Sequence, residues 1–487
     1  MKAYTVTFLP SGISLEVAPG TTLLQAQITA GLHPDAPCGG NGTCGKCQVE
    51  VQGKTVPACQ TTVEENMTVT LPGEKDMTIL TTAWGEKRQA DGTDAYTVAF
   101  DIGTTTLVGF LLNGHTGECL ATASAMNPQI AYGADVIARI QAVTEERADL
   151  QSCILPELEA LLARLTAQAG IVREDITLIT LVGNTAMHHL LLGIDPAPLV
   201  IPPYMPKQTD ALERPAAGLL TIHPEGRLRI LPNIAGFVGA DTVGCLVAAG
   251  YGEREDLTLM IDIGTNGEMV LGNKHRRIAC STAAGPAFEG AKISQGMRGC
   301  PGAIDHVTLE DGVIHAHVIG DTEAKGLCGS GLLDLVACLL DAGILEESGY
   351  LPEKAYTIPG TTVTLTQADV REVQLAKAAI RAGVELMCEH LGVATEDIQQ
   401  VLLAGAFGNY MNPVSACRIG MIPPVLENRI LPIGNAAGEG AKACALSRDT
   451  FEESKRLAAE TEFLELASKP EFQDRFVDAL EFEEEEP

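Results

Sequence analysis

The sequence has few basic residues, few aromatic residues and no long apolar run. It has 33 lysine and arginine residues but 63 aspartate and glutamate residues, which gives a formal net charge of −30. Nucleic acids and anionic membranes repel so acidic a chain, so neither is an expected partner. No apolar stretch is long enough to span a membrane. Apolar and polar residues alternate at the N-terminus, which is typical of a pair of strands and not of a signal peptide. These absences predict a cytoplasmic protein that binds neither membrane nor nucleic acid.

Aromatic residues make up 4% of the chain, whereas 50 residues are glycine and 46% are hydrophobic. This composition suits an α/β enzyme in which helices pack closely on strands. At 487 residues the chain is long enough for about three domains. Its fourteen cysteines, in a reducing compartment, are expected to be thiols or metal ligands rather than disulfides.

Four of the cysteines lie near the N-terminus with the spacing C-x5-C-x2-C-x11-C, namely Cys38, Cys44, Cys47 and Cys59. Four thiolates with a glycine-dense loop favour an iron–sulfur cluster, because free backbone amides can donate to the cluster sulfurs. A structural zinc site is the alternative, but such sites more often use two C-x2-C pairs, and only one is present. The motif resembles that of 2Fe–2S ferredoxin domains, which implies a one-electron carrier.

Two later segments of similar sequence, 95–112 and 257–273, each read as a β-hairpin. Asp101 of the first corresponds to Asp262 of the second, and a glycine follows each aspartate two residues later, which indicates one half-fold used twice. Glycine lets backbone N–H groups converge on an anion, and an aspartate can hold a hydrated divalent cation beside it. Two such tips that face each other would clamp the phosphates of a nucleotide.

Other candidate site residues lie where strands end. The strand predicted at 176–182 leads into Asn184, which caps a helix that carries His188 and His189. Adjacent helix residues point about 100° apart, so these histidines are expected to pack and cap rather than share one ion. Asp241 opens another helix, where a capping role is slightly favoured over a role in a cleft.

The C-terminal half contains a predicted helix at 369–391 and a predicted strand at 400–403. A glycine-rich turn over 404–409 follows this strand, and such a turn lets a flat purine lie against the backbone. The acidic segment 451–487 is expected to be a helical, solvated tail.

The two aspartate hairpins and the segment LLAGAFG, in this order, are similar to the phosphate and adenosine motifs of the actin, sugar-kinase and Hsp70 ATPase superfamily. None of them is a P-loop. The resemblance implies an α/β fold class: a duplicated actin-like ATPase fold, with two lobes around a nucleotide cleft, preceded by a small β-grasp ferredoxin-like domain. The expected division is a 2Fe–2S domain at 1–74, a linker at 75–94, ATPase lobe I at 95–255, lobe II at 256–450 and the tail at 451–487.

With a ferredoxin-like domain in front, the chain resembles the reductive activators of corrinoid-dependent enzymes. The segments that carry this resemblance are GNTAMHHLLLGI, DIGTNGEMVLGN, TAAGPAFEGA, GSGLLDLVA, QLAKAAIRAG and LLAGAFGNYMNP. It implies that a 2Fe–2S cluster passes one electron to Co(II) of an inactivated corrinoid protein, restoring Co(I) for methyl transfer, while ATP is turned over. The implied partners are a corrinoid protein of a methyltransferase system and a low-potential electron donor. The sequence leaves open whether two copies form a homodimer.

The resemblance also assigns roles to individual residues. Asp101 and Asp262 hold hydrated Mg²⁺. The phosphates of ATP lie against Gly103, Thr104 and Thr105 and against Gly264, Thr265 and Asn266, and adenosine meets Gly405, Ala406 and Gly408. The loop 281–285 is a candidate for facing the corrinoid, with Ser281 either near cobalt or a structural hydroxyl, the latter being favoured. Asn184 and Gln374 are candidates to position water.

Two other functions are consistent with the same motifs. The first is a kinase-like phosphotransferase with a redox-sensing ferredoxin domain. The second is an ATP-switched electron donor to another low-potential oxidoreductase, such as a dehydratase. A phosphorylated small-molecule product would support the kinase, and ATPase activity stimulated by a Co(II) corrinoid protein would support the activator.

Overall fold

A computed structural model describes residues 3–72 and 90–483 of the chain, apart from 33, 35, 37–39, 41, 43–45 and 467. Cys38, Cys44, most of the predicted linker and the last four residues therefore lie outside the described part. No helix within the described part is long and apolar enough to cross a membrane.

The N-terminal domain is a five-stranded mixed sheet with one helix, as expected for a β-grasp domain. Its sheet has the order β2-β1-β5-β3-β4, and alternating residues such as Val6 and Phe8 point into the core. The elements are β1 Tyr4–Leu9, β2 Ile13–Val17, α1 Leu23–Thr29, β3 Gln48–Val51, β4 Lys54–Pro57 and β5 Met67–Thr70.

Lobe I contains a six-stranded sheet in the order β10-β11-β9-β6-β7-β8, with helices packed on it. The strands are β6 Tyr96–Ile102, β7 Thr106–Asn113, β8 Cys119–Met126, β9 Ile176–Gly183, β10 Leu212–Pro215 and β11 Arg227–Ile230. The helices are α2 Val136–Thr144, α3 Leu150–Ala169, α4 Thr185–Leu192 and α5 Ala240–Ala248.

Lobe II repeats this plan with a six-stranded sheet in the order β21-β20-β12-β13-β14-β22. Its strands are β12 Thr258–Ile263, β13 Gly267–Gly272, β14 Arg277–Thr282, β15 Ala303–Glu310, β16 Val313–Val318, β17 Gly326–Leu327, β18 Ala355–Thr357, β19 Thr364–Thr366, β20 Gln400–Ala404, β21 Ile430–Gly434 and β22 Thr461–Phe463. Its helices are α6 Gly329–Asp341, α7 Gln367–Leu391, α8 Gly405–Tyr410, α9 Pro413–Arg418, α10 Ala436–Leu446, α11 Arg448–Glu460 and α12 Pro470–Asp478.

The duplication predicted from the two hairpins is confirmed. In each lobe an antiparallel hairpin, β6–β7 or β12–β13, lies beside a parallel strand that comes later in the chain. Asp101 is paired with Val182 of its parallel neighbour, and Asp262 is paired with Ala404 of its own. The two aspartates therefore lie at equivalent points of two equivalent sheets.

Two helices, α5 and α10, lie between the lobes and share one apolar core with strands of both sheets. They approach closely because glycines face each other: a Cβ added at Gly440 would overlap the backbone carbonyl of Gly244. Gly438 in the same helix lies against the ring of Phe110. Small residues thus let the two connecting helices pack backbone to backbone at the junction of the lobes.

The predicted acidic tail is helical but is not a solvated tail up to Glu483. Strand β22 extends the sheet of lobe II by pairing with β14, and Phe482 is 3% exposed. The amide of Gln374 and the ammonium group of Lys377 donate to the backbone carbonyls of Leu480 and Glu481. The described residues of 451–483 are therefore part of the packed ATPase unit, because α11 packs on α5 and α10 and α12 packs on α7.

The described part of the ferredoxin-like domain contacts lobe II through its cysteine loop. Lys46, which lies between Cys44 and Cys47 in the sequence, donates from Nζ to the carbonyl of Gly296 at 2.9 Å. Gly296 is buried, and it is bridged to Leu327 just before α6. The loop that carries the metal-ligand candidates thus touches the lobe that carries the second hairpin.

We expect Gly440→Ala to destabilise the protein by about 1–3 kcal/mol, because the new methyl group would overlap the Gly244 carbonyl. The sign is diagnostic, since Gly→Ala in an unconstrained helix stabilises by up to about 1 kcal/mol. Chemical denaturation measures the change. Ala167→Ser, which adds an atom at an exposed position of α3, is the control and should change stability by less than about 0.5 kcal/mol. A stabilised Gly440→Ala variant would contradict the close helix contact.

Candidate functional site

The two hairpin tips line one cleft between the lobes. Its volume is about 590 Å³. Most of the residues predicted for the nucleotide site line it, namely Asp101, Gly103, Thr104, Thr105, Asn184, Asp262, Gly264, Thr265, Asn266 and Gly405. The cleft is large enough for a nucleotide, since small-molecule sites usually occupy about 300–1,000 Å³.

Each tip is a tight turn closed by one backbone hydrogen bond. The amide of Gly103 donates to the carbonyl of Thr106, and the amide of Gly264 donates to the carbonyl of Asn266, both at 2.9 Å. A side chain at Gly103 would lie 2.8 Å from the Thr106 carbonyl oxygen. Glycine is therefore required there for a turn tight enough to leave its remaining amides open to an anion.

Carboxylates gather at the base of the cleft. Removal from bulk water, together with repulsion by Asp241, raises the pKa of Asp101 to about 7 and that of Asp262 to about 7. Burial likewise raises the pKa of Asp241 to about 6 and raises that of Glu268 well above its ordinary value. Like charges this close resist joint ionisation, so the cluster suits a bound divalent cation that would compensate them.

The acidic side chains do not themselves form a chelating group. Among the described residues, no set of three or more His, Cys, Asp or Glu side chains is arranged to hold a metal ion. A hydrated cation fits this arrangement better than a dehydrated one, because water molecules can span the distance from each carboxylate to the ion. Asp241 thus faces the cleft, and the capping role slightly favoured from the sequence is wrong: the α5 N-cap is Gly239.

Amide side chains fix the two ends of the lobe I tip. Asn184 accepts from the Met187 amide as the N-cap of α4, and its own amide donates to Thr104 Oγ1 at 2.9 Å. Asn435 caps α10 in the same way and hydrogen-bonds to Asp101, which opposes the rise in the pKa of that carboxyl. Helix caps therefore tie the cleft residues to α4 and to α10, the second of which lies between the lobes.

Glu289 joins the two tips directly. Thr105 of lobe I donates to its Oε2 at 3.3 Å, and Thr265 of lobe II donates to its Oε1 at 2.9 Å. The two oxygens of one carboxylate thus connect one threonine hydroxyl from the tip of each lobe. A phosphate that enters between the tips would meet this negative charge and compete for both hydroxyls.

The turn predicted at 404–409 is wrong in detail, because residues 405–410 form the short helix α8. Gly405 has a φ of +83°, and a Cβ there would lie 2.5 Å from Asp262 Oδ1. The chain needs glycine at this point to enter α8 against the aspartate. Within α8, Phe407 stacks on Phe288 with ring centroids 4.7 Å apart, and both rings line the cleft.

Several predicted residues lie elsewhere. The Gln374 amide donates to the Ser348 and Leu480 carbonyls behind α7, away from the cleft. Ser281 lies within strand β14 rather than in a loop, and its hydroxyl donates to Glu268 at 3.3 Å. Gly408 packs against Leu403 and does not line the cleft, and the side chain of Ala406 lies outside the described part.

The neighbouring histidines pack in the interior, as expected, but neither caps α4, whose caps are Asn184 and Gly193. His188 Nδ1 lies 2.6 Å from the Asn233 amide, and burial lowers its pKa to about 4. His189 Nδ1 lies 2.7 Å from the Thr185 carbonyl, and its Nε2 accepts from the Lys207 amide. Neither side chain lines the cleft.

Of the four predicted cluster ligands, Cys47 and Cys59 are within the described part. The β3–β4 hairpin brings them together, since the Ala58 amide donates to the Cys47 carbonyl at 2.8 Å. A Cβ on Gly40 would lie 4.0 Å from Cys59 Cβ, and Gln60 donates to the Gly42 carbonyl. The described residues between Cys38 and Cys44 thus lie against Cys59 and its neighbour, which fits a shared cluster site.

Comparison with known families divides the chain into the same three parts: the N-terminal domain, lobe I and lobe II. Residues 6–71 match the 2Fe–2S iron–sulfur cluster binding domain. Residues 96–254 match the middle region of RACo, and residues 256–487 match its C-terminal ASKHA domain.

Individual relatives extend this match over most of the chain. The chain is 36% identical over 413 residues to the corrinoid activation enzyme RamQ of Eubacterium limosum, a match that covers 78% of this chain and 69% of RamQ. It is 31% identical over 260 residues to the Co(II) methylated amine-specific corrinoid protein reductase of Methanosarcina barkeri, covering 49% of this chain and 46% of that protein.

A solved structure has the same arrangement. The reductive activator for corrinoid, iron–sulfur protein superposes with a TM-score of 0.74 at 29% sequence identity, covering 98% of both chains. Its similarity spans the cluster domain and both lobes. The chain therefore belongs to the family of corrinoid reductive activators, which join a 2Fe–2S domain to an ASKHA ATPase domain.

Proposed function

We propose that this protein is an ATP-dependent reductive activator that returns the Co(II) of an inactivated corrinoid protein to Co(I). The observation that carries the proposal is that both hairpin tips line one cleft, in a chain whose cysteine loop contacts lobe II. RamQ, the Methanosarcina reductase and the solved activator are named for activation of corrinoid proteins or for their reduction. We place the protein in the cytoplasm, where its cysteines stay reduced.

The N-terminal domain would carry the electron. We propose Cys38, Cys44, Cys47 and Cys59 as the ligands of a 2Fe–2S cluster, which supplies one-electron transfer when bound. Gly40 lies beside Cys59 and Gly42 beside Gln60, and their backbone amides would donate to the cluster sulfurs and tune the potential. A low-potential donor would reduce this domain, and the corrinoid cobalt would be its substrate.

The cleft would bind Mg-ATP. Asp101 and Asp262 would hold hydrated Mg²⁺ through its water shell. The charge of Asp241 repels both carboxylates, and the cation would offset this repulsion. The amides and hydroxyls of residues 103–105 and 264–266 would bind the phosphates, with Asn184 orienting Thr104. Gly405 and the stacked Phe407 would border adenosine, since both line the cleft beside the second tip.

ATP would act by changing the position of the two lobes relative to each other. Co(II)/Co(I) is a very low-potential couple, so electron transfer from a 2Fe–2S cluster would be uphill, and ATP would have to favour a state in which transfer proceeds. A ligand shifts a conformational equilibrium only by binding two states with different affinity. Glu289 gives such a difference, because its hydrogen bonds to Thr105 and Thr265 and the binding of phosphate exclude each other.

The first experiment tests electron transfer. The anaerobic, dithionite-reduced and desalted protein, mixed with Mg-ATP, is expected to generate Co(I) absorbance in the Co(II) form of a corrinoid protein. Two corrinoid proteins serve as probes: the methylated amine-specific corrinoid protein and the corrinoid, iron–sulfur protein. Each appears in the name of a relative of this chain. Cys59→Ser should abolish the signal, whereas Cys119→Ser, at an exposed cysteine of lobe I, should retain it. No Co(I) with either probe would overturn the proposal.

Asp262→Asn is expected to lower the kcat/KM of Mg-ATP hydrolysis by roughly 100-fold or more, because an amide holds hydrated Mg²⁺ far more weakly than a carboxylate. Phosphate release measures the rate. The nucleotide-free variant should unfold at the same temperature or higher, since one of several mutually repelling carboxyls is removed. Asp311→Asn, in an exposed turn, is the matched control. Undiminished turnover in Asp262→Asn would refute this assignment.

The raised carboxyl pKa values predict how stability depends on pH. Between about pH 4 and pH 7 the folded protein holds protons at Asp101, Asp241 and Asp262 that the unfolded chain has released. The nucleotide-free protein is therefore expected to lose unfolding free energy as pH rises through this window. Mg²⁺ should raise the melting temperature more at pH 8 than at pH 5.

The general repulsion of so acidic a chain also grows with pH, so a variant must separate the two effects. Asp241→Asn removes one cleft carboxyl from the cluster and should give a shallower decline in melting temperature between pH 5 and pH 8. Parallel curves for the variant and the natural chain would show that the cleft carboxyls are not responsible.

A further inference from the structure

The cleft is strongly acidic, yet it must receive the polyanion ATP. Six side chains with carboxyl groups line it: Asp101, Asp241, Asp262, Glu268, Glu289 and Asp305. Among the described residues that line it, Arg298 is the one lysine or arginine. A divalent cation would offset the aspartates at the base, but it leaves much of the phosphate charge without a fixed partner.

Arg298 projects from a firmly anchored segment of lobe II. Ser294 donates from its amide and hydroxyl to the Asp369 carboxylate at 2.7 and 2.6 Å. The Gln295 side chain accepts from Thr364, and the Met297 amide donates to the Leu327 carbonyl at 2.8 Å. The backbone immediately before Arg298 is thus held by three other parts of lobe II, and Arg298 itself lines the cleft.

The guanidinium group reaches across the cleft to lobe I. Its Nη1 donates to Met126 Sδ at 3.1 Å, and Met126 is the β8 partner of Thr106. Thr106 closes the turn of the first tip, since its carbonyl accepts from Gly103. Arg298 therefore lies beside the tip whose amides are open to phosphate. A thioether is a weak acceptor, and a phosphate oxyanion is a stronger one for a guanidinium group.

From this geometry we infer that Arg298 contacts the phosphates of bound ATP and is a catalytic residue of the ATPase reaction. The inference rests on the proposed nucleotide site. The planar guanidinium group would bind phosphate oxygens with two parallel hydrogen bonds, and it would stabilise the charge that develops on the transferred phosphoryl group. Because it comes from lobe II and lies against the lobe I tip, it would also draw the lobes together.

The test is the affinity of the full-length, anaerobically purified protein for Mg-ATP, measured by titration calorimetry. Arg298→Met should weaken binding by roughly 10- to 100-fold, the expected effect of losing a charge-assisted contact. Arg298→Lys, which keeps the charge but not the paired donors, should fall between Arg298→Met and the natural chain. Arg276→Met, which removes an equal charge from an exposed site of lobe II, should bind within about twofold of the natural chain.

The outcomes separate this inference from the function on which it rests. If the natural chain binds no Mg-ATP, the proposed nucleotide site is wrong. If the natural chain binds and Arg298→Met binds equally well, the inference alone is overturned. A purely structural bridge between Arg298 and Met126 would instead lower the melting temperature of the nucleotide-free protein and leave the affinity of the folded fraction unchanged. Should Arg298→Met fail to fold, Arg298→Lys carries the same comparison.

Discussion

Mutually repelling carboxylates lie where the two lobes meet, and the arrangement of the whole ATPase unit depends on their compensation. Asp101 and Asp262 occupy equivalent positions of the two sheets, so the duplication itself brings like charges together. Their raised pKa values express that conflict. A cation would relieve it, and in the proposed mechanism a cation that carries phosphates would also bind the tips of both lobes. Nucleotide binding and lobe closure would then be one electrostatic event.

The helices that join the lobes explain how such an event can move large parts of the protein. At the junction of α5 and α10 the two backbones are in contact through Gly244 and Gly440, with no long side chains between them. Packed elements of this kind slide or rotate with little change in buried area, whereas interlocked side chains would resist. Asn435 begins α10 and hydrogen-bonds to Asp101, so the charge state of the cleft is linked directly to the position of that helix.

Local sequence was sufficient for some features and insufficient for others. The hairpins, the strand at 176–182 and the helix α7 follow from short-range apolar periodicity and turn residues, and these predictions are confirmed. Glu289 and Phe288 were missed as cleft residues because their roles come from long-range contacts across the lobes. Gln374 was misplaced for the same reason: its partners Ser348 and Leu480 are distant in sequence. The signal at Glu289 is its position in a glycine- and proline-containing segment, just beyond the loop 281–285 that was the candidate for facing the corrinoid.

The C-terminal segment shows a related limit. Residues 451–483 are so rich in charge that composition favours a solvated tail, yet α11 and α12 each have an apolar stripe, and β22 completes a sheet. Helical periodicity outweighs mean composition here, because one buried face is enough to dock a helix. The acidic side chains then form the outer surface, which adds to the net charge without affecting the core.

The contact between Lys46 and Gly296 gives physical content to the coupling of the two chemistries. Lys46 belongs to the cysteine loop, and Gly296 lies two residues before Arg298 in the same anchored segment of lobe II. If nucleotide binding in the cleft displaces this segment, the surface that the cysteine loop contacts would move. Displacement of the cysteine loop would in turn move the segment that carries Arg298. Coupling free energies are reciprocal, so in the proposed mechanism docking of the cluster domain would alter nucleotide affinity as much as nucleotide alters docking. This one short segment would then make electron transfer sensitive to ATP.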